Sequence, residues 1–327
     1  MKIGLTYDLY SEYKLKGFDE EDIAEFDHED TILAIESALK ELGHTVDRVG
    51  NVYDLIKKIN TETYKWDLVF NIAEGMYGFG REAQVPCILD AHNINYTFSD
   101  PVVLSLTLHK ALTKRVVRDA GIKTPKFKLV SAIEDIRDLD LEFPVFIKPV
   151  AEGTGKGINE RSKVTNVKDL AVRAKKILDR YKQAVLVEEY LLGREFTTGI
   201  IGTACNARVW GTMEIVSNNS EGEIYSYHVK KNYKEHIKYR IPEDDIVKKC
   251  GDMALKVWNV LGCKDAGRID FKADANGELN FLEINPLAGL HPEDSDLVIM
   301  TKLNGLKYLD LIKGIISSAE QRIGIKQ

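Results

Sequence analysis

The sequence predicts an α/β protein of two or three domains, and three observations predict it. The chain has 327 residues, more than a single hydrophobic core usually serves. Strand-like and helix-like patterns alternate through its first third, the signature of an α/β layer. The last part turns strand-rich and holds an Asn276-Gly277 step between two apolar runs, the strongest short hairpin signal a sequence offers.

Composition narrows the function classes. Apolar residues make up 44% and charged residues 29%, as in an ordinary soluble protein. No apolar run approaches the ~20 residues that span a bilayer. The opening "MKIGLTYDLY" is a short strand pattern without a signal-peptide core, so a cytoplasmic location and no membrane partner are expected. Cys87, Cys205, Cys250 and Cys263 lie far apart with no metal-ligand spacing, which reads as plain apolar packing. The net charge of −6 offers no basic field for a phosphate backbone, so nucleic acid is not an expected partner.

Taken in order, "KIGLTY" reads as a strand, "TILAIESALKELG" as a helix ended by Gly43, and "WDLVFNI" as a second strand. Between the first two lies "KGFDEEDIAEFDHED", whose acidity favours a solvated loop or helix start over a binding role. "NIAEGMYGFGREAQ" has the glycine and aromatic content of a mobile loop over a site, and a plain fold connection explains it equally. "LSLTLHKALTKRVVRDAG" predicts one helix stopped at Gly121, with Pro125 beyond it. The strand "FPVFIKPV", a glycine loop, a helix around "VKDLAVRAKKILDRY" and the strand "AVLVEEYL" follow, then strand-rich sequence and the closing helix "LKYLDLIKGIISSAE". The expected division is 1–104, 105–187 and 188–327.

A two-residue type I′ turn at Asn276-Gly277 would place Asp270 opposite Glu283 and Arg268 opposite Asn285. All four then share one face, because strand side chains alternate, while Ile269, Phe271, Leu282 and Ile284 face the core. Two opposed carboxylates are destabilising unless something positive lies between them. Asp270, Glu283 and the Asn285 carbonyl form an all-oxygen set suited to magnesium, with manganese as a substitute. A one-residue change in loop length would break this register.

"FPVFIKPVAEGTGKGI" ends a strand at Lys148 and supplies Gly153, Gly155 and Gly157 around Thr154. Such a loop lets backbone N–H groups approach phosphate, and the lysine adds a fixed positive charge. Neither the Walker A spacing nor the dinucleotide fingerprint fits. Lys156 stays unassigned, with a solvated loop charge as its plain reading. In "VLVEEYLLGREF", Glu188 near a strand end and Glu195 beyond a short turn suit acceptors for adenine and ribose.

The order of strand-Lys-Pro with a glycine loop, "VLVEEYLLGREF", "GRIDF" and "FLEINPLAGL" resembles the ATP-grasp fold, specifically the D-alanine:D-alanine ligases. The resemblance implies an N-terminal α/β preATP-grasp domain followed by two ATP-grasp subdomains that clasp ATP. It implies phosphorylation of a carboxylate by ATP, then attack by an amine to form an amide. Carried over by position, Lys110, Lys148 and Lys230 would hold ATP phosphates, with Thr154 in the glycine loop. Glu188 and Glu195 would bind adenine and ribose, with backbone at Tyr190 and Leu191 lining the adenine slot. Asp270, Glu283 and Asn285 would bind magnesium, and Arg268 with the backbone N–H near Gly289 would stabilise the tetrahedral intermediate.

The pattern departs from the family around the amino-acid pockets. The family's Gly-Gly-x-Ser-x-Glu segment is missing, and an acid between Glu25 and Asp30 would have to replace its glutamate. Lys231 stands where tyrosine or histidine is usual, and Asp294 where a serine would read the second carboxylate, with Ser295 one place on. His291 is a substrate-orienting or a structural loop residue. Expected partners are therefore a small-molecule carboxylate and an amine, of amino-acid type but altered, with a homodimer left open. The alternatives are an authentic D-alanine:D-alanine ligase, a non-catalytic ATP-binding protein and a bicarbonate-using carboxylase of the same fold.

Overall fold

A computed structural model of the chain describes residues 1–61, 64–217 and 237–324. Its first sheet is parallel, with β1 (Lys2–Thr6) between β2 (Thr45–Gly50) and β3 (Leu68–Asn71). Strands β1 and β3 are largely buried and apolar, as parallel strands covered on both faces must be, while the edge strand β2 carries the partly exposed Asp47 and Arg48. Helices α1 (Tyr10–Leu15), α2 (Glu29–Glu41), α3 (Val52–Asn60) and α4 (Gln84–Ala91) surround it. Strand β2 and helix α3 escape the reading of the sequence.

The single helix expected next is two: α5 (Pro101–Leu108) and α6 (Lys110–Asp119), broken at His109, whose backbone takes a non-helical ψ of 87°. The His109 ring caps α6 by accepting from the Leu112 N–H. This break sets Lys110 on the first turn of a new helix.

The second sheet has the order β4 (Phe127–Val130), β7 (Val185–Glu189), β5 (Val145–Pro149), β6 (Lys163–Val164), all antiparallel, with α7 (Val167–Tyr181) packed on it. The third is β10 (Ile237–Arg240), β9 (Arg208–Ser217), β8 (Glu195–Ile201), β11 (Ala266–Ala273), β12 (Leu279–Asn285), also antiparallel. Helix α8 (Ile246–Leu261) covers its apolar face, where Trp258 meets Ile269, Phe271, Phe281 and Ile284. Both expected segment boundaries fall inside elements, 104/105 within α5 and 187/188 within β7.

The hairpin corrects the predicted turn while keeping its pairs. Asp274 N–H donates to Glu278, Gly277 N–H donates to Asp274, and only Gly277 takes positive φ, at +81°. That is a longer loop than the two-residue I′ turn. The ladder starts as Ala273↔Leu279 and Phe271↔Phe281, then skips Leu282 to give Asp270↔Glu283 and Arg268↔Asn285. The longer turn and the bulge at Leu282 cancel. Phe281 therefore fills the core position expected for Leu282, which is only half-buried.

After β12 the chain runs through Leu287 and Leu290 into the core of the first sheet, beside α9 (Asp296–Leu303) and α10 (Tyr308–Ile323). That anchoring fixes the loop carrying Gly289. The acidic stretch after α1 also departs from expectation. Ile23 and Phe26 are buried against Tyr13, so the segment is a packed strap rather than a solvated loop.

Candidate active site

Register alone assembles the centre of the site. On the second sheet Lys148 pairs with Leu186 and Phe146 with Glu188, so Lys148 and Glu188 are diagonal neighbours on one face. Their side chains meet at 3.0 Å. The other Glu188 oxygen lies 3.0 Å from Lys114, a fully buried lysine that the sequence reading missed. Its signal was present: Lys114 follows Lys110 by one helical turn on α6. Burial opposes ionisation of Glu188, but Lys114 and Lys148 outweigh it and hold the carboxyl below its usual range. Lys148 is likewise desolvated, and Glu188 and Glu283 more than restore its charge.

On the third sheet Arg268 and Asp270 stand on one face of β11, with Glu283 and Asn285 opposite on β12. Thr197, across from Asp270 on β8, donates to it at 2.6 Å. Arg268 forms an ion pair with Asp270 and lies 3.6 Å from Asp296. Glu283 sits 3.6 Å from Lys148 and 3.7 Å from Lys110. Helix α6 and the second sheet thus present lysines to a carboxylate on the third sheet. Burial would raise the Glu283 carboxyl, yet Lys110, Lys148 and Arg268 draw it down. Asp270 moves up, through burial and then repulsion from Glu283 working against Arg268.

A cavity of about 510 Å³ opens beside this cluster and is lined by Lys110, Thr154, Arg268, Glu283, Asn285 and Gly289 among others. Thr154 takes φ +51° between Gly153 and Gly155. Glu195 and Tyr190 are not among the residues that line it: Glu195 pairs with Lys272 at 2.6 Å, and the Tyr190 ring stacks on Phe146 beneath the Lys163 ammonium. The Tyr190 N–H donates to the Pro144 carbonyl. Lys230 and Lys231 lie outside the described residues.

Lys156 is not a solvated loop charge. It is buried between Glu25, at 3.0 Å, and Glu152, at 2.7 Å. Glu25 also takes Arg81 at 3.0 Å and accepts from the Gly153 N–H at 2.6 Å, tying the strap to the glycine loop. The acids between Glu25 and Asp30 now separate. Glu25 is matched by Arg81 and Lys156, Glu29 by Arg48, and Asp30 by His291. Asp27 has no ion-pair partner among the described residues. Burial, aided by Asp8 and Asp30, pushes its carboxyl up to about 7.

His291 holds its own loop. Its Nδ1 accepts from the Glu293 and Asp294 N–H groups, leaving Nε2 to face Asp30 at 3.1 Å. The Ser295 hydroxyl accepts from the His291 N–H and lines the cavity together with Asp294.

The donor set suits a hard cation. Asp270 and Glu283 oppose each other across the ladder, and the Asn285 side chain is directed at Asp270 from the same face. Among the described residues no group of three or more His, Cys, Asp or Glu could hold a metal ion. An ion here would keep two carboxylates and fill its shell from amide, water and phosphate oxygens, the habit of magnesium.

A parallel α/β sheet followed by two antiparallel sheets, meeting over a glycine loop, paired lysines and an acid-bearing hairpin, defines an ATP-grasp ligase. Comparison with known proteins narrows the class. The family model "D-ala D-ala ligase C-terminus" matches residues 116–317. The D-alanine-D-alanine ligase of Aquifex aeolicus is 32% identical over 288 residues, covering 87% of this chain and 92% of its own length. The chain belongs to the D-alanine-D-alanine ligase family. Crystal structures of the Bacillus anthracis D-alanine-D-alanine ligase complexed with ATP and of the VanG D-Ala:D-Ser ligase of Enterococcus faecalis share the fold. Their TM-scores are 0.71 and 0.72 at 19% and 20% identity; the first match covers 98% of both chains, the second 97% of this chain and 99% of that one.

Proposed function

We propose that this protein joins a small carboxylic acid to an amine at the expense of ATP, releasing ADP and phosphate through an acyl phosphate. One observation carries the reading: Glu283 lies between Lys110 and Lys148 on one side and the Arg268–Asp270 pair on the other. Lysines and a guanidinium fixed in a desolvated site are preorganised for a phosphoryl group and for the oxyanion that forms when the amine adds.

Lys110 and Lys148, with Lys230, hold the terminal phosphates, and the Thr154 loop covers them. Glu188 and Glu195 take adenine and ribose, with Leu191 at the base edge. Asp270, Glu283 and Asn285 would hold magnesium, which would neutralise the phosphates when bound. Arg268 and the Gly289 N–H meet the developing negative charge. The chain divides into one segment for each sheet, with boundaries placed at the ends of α5 and β7 rather than at 104/105 and 187/188. The reaction belongs in the cytoplasm, where ATP is supplied.

The test is phosphate release measured with acid alone, amine alone and both. Release that needs both supports the reading. ATP turnover indifferent to either, or binding with no turnover on any pair, removes it. D-alanine as both substrates separates an authentic D-alanine:D-alanine ligase from one with altered pockets.

A further inference from the structure

Lys114 is a buried cation that the proposed reaction leaves without a task. It has no exposed surface and is not among the residues lining the cavity. Its ammonium donates to the Thr124 hydroxyl at 3.0 Å and to the Phe281 carbonyl at 3.3 Å, and lies 3.0 Å from Glu188. These partners fix it where α6 meets β7 and β12. The Lys148 ammonium faces two carboxylates instead, Glu188 at 3.0 Å and Glu283 at 3.6 Å. Glu188 therefore stands between two cations, of which Lys114 is anchored on its other side by Thr124 and Phe281. Lys110, Lys114 and Lys148 meet Glu188 and Glu283, three cations to two carboxylates, so the cluster carries one positive charge in surplus. Without Lys114 that surplus vanishes.

We infer that Lys114 is a positioning residue for the nucleotide: by holding Glu188 it releases Lys148 to the terminal phosphates. The inference rests on the ATP reading above and deepens it. A lysine paired with a buried carboxylate can turn to a phosphate only if that carboxylate is not left unmatched, because an unpaired buried charge is strongly unfavourable. Lys114 supplies the match that remains when Lys148 turns away. It touches neither nucleotide nor metal and acts through Glu188. With Lys114 removed, Glu188 keeps Lys148 for itself, and the phosphate-binding lysine is present but withheld.

The experiment measures Kd for ATP and for AMP, each with magnesium, on the full chain by calorimetry. The ratio of the AMP value to the ATP value isolates what the terminal phosphates add. Lys114→Met, Glu188→Gln and the double variant are compared with the wild type, with thermal unfolding recorded for each. Methionine approximates the length of lysine without its charge, and the Thr124 hydroxyl still donates to the Phe281 carbonyl at 2.8 Å. Lys114→Met should lower the ratio by about tenfold or more, the usual size of one lost charge-assisted contact. Added to Glu188→Gln, the same substitution should change the ratio by less than about twofold, because no carboxylate remains to withhold Lys148. That second comparison decides even if Lys114→Met alone does not fold. If Glu188→Gln alone does not fold, the double variant must recover the ratio lost in Lys114→Met.

A ratio unmoved by Lys114→Met, with only the unfolding temperature lowered, makes Lys114 structural and overturns the inference. An equal drop with and without Glu188 makes it a distant charge and overturns the inference too. A wild type that binds ATP no more tightly than AMP removes the nucleotide reading and this inference with it. The expected ratios without turnover on any acid and amine would remove the ligase reading alone.

Discussion

The lysine-carboxylate cluster between the second and third sheets and the acidic wall of the neighbouring cavity solve the same electrostatic problem in opposite ways. At the first, Glu188 is matched by Lys114 and Lys148, and Glu283 by Lys110 and Lys148. At the second, Asp27, Glu74 and Glu82 stand without such partners, and burial drives their carboxyls upward. The first group is held charged by its partners, and the second is held towards the neutral form by burial.

Breaking the matched cluster should have the largest effect. Glu188→Ala leaves the buried Lys114 without its ion pair and Lys148 with only Glu283 at 3.6 Å, and a loss of about 3–5 kcal/mol is expected, read by denaturant unfolding. Arg268→Ala should lower turnover by about 10² to 10³, the usual cost of one transition-state donor. Nucleotide affinity should persist in that variant, measured by calorimetry; affinity lost in proportion to rate would assign Arg268 to binding instead.

Glu25→Gln sits between the two, because Glu25 ties the strap to the Gly153 N–H while neutralising Arg81 and Lys156. It should raise KM for ATP by about tenfold, with a smaller change in kcat. Its folded carboxyl lies below the ordinary range, since Arg81 and Lys156 overcome burial. Its contribution is therefore present above the unfolded value of about 4.3 and lost as pH falls below it. Acid unfolding of the wild type should show this loss, and Glu25→Gln should abolish it.

Asp27 has the opposite sign and the smallest effect. Its folded carboxyl, at about 7, keeps a proton that the unfolded chain gives up near its ordinary 3.8. Stability should fall as pH rises from about 4 to 7 and then level off. Asp27→Asn should remove the slope and gain on the order of 1–2 kcal/mol at pH 8, measured by thermal unfolding across that range.

The same contrast explains what could be read in the sequence. Period-two patterning set Arg268, Asp270, Glu283 and Asn285 on one face, and strand ends placed Lys148 and Glu188. The type I′ turn was wrong, yet the pairs survived because the bulge at Leu282 absorbed the extra loop residue. Glu25, Asp27, Glu74, Arg81 and Glu82 come from loops and short turns, where no periodicity reports direction. Asp27 could not be chosen from its neighbours because the choice rests on contacts to Arg48, Arg81, Lys156 and His291, all far away in the chain. Lys114 was hidden for a different reason. Its i, i+4 relation to Lys110 is an ordinary helical spacing until Glu188 closes on it.

On the proposed reaction, ATP activates a carboxylate in this cavity before the amine adds. An acid substrate labelled with oxygen-18 in its carboxyl group, turned over with ATP and the amine, tests it most directly by mass analysis of the released phosphate. One labelled oxygen is expected in each phosphate, with ADP as the nucleotide product. Unlabelled phosphate, or AMP with pyrophosphate, would contradict it.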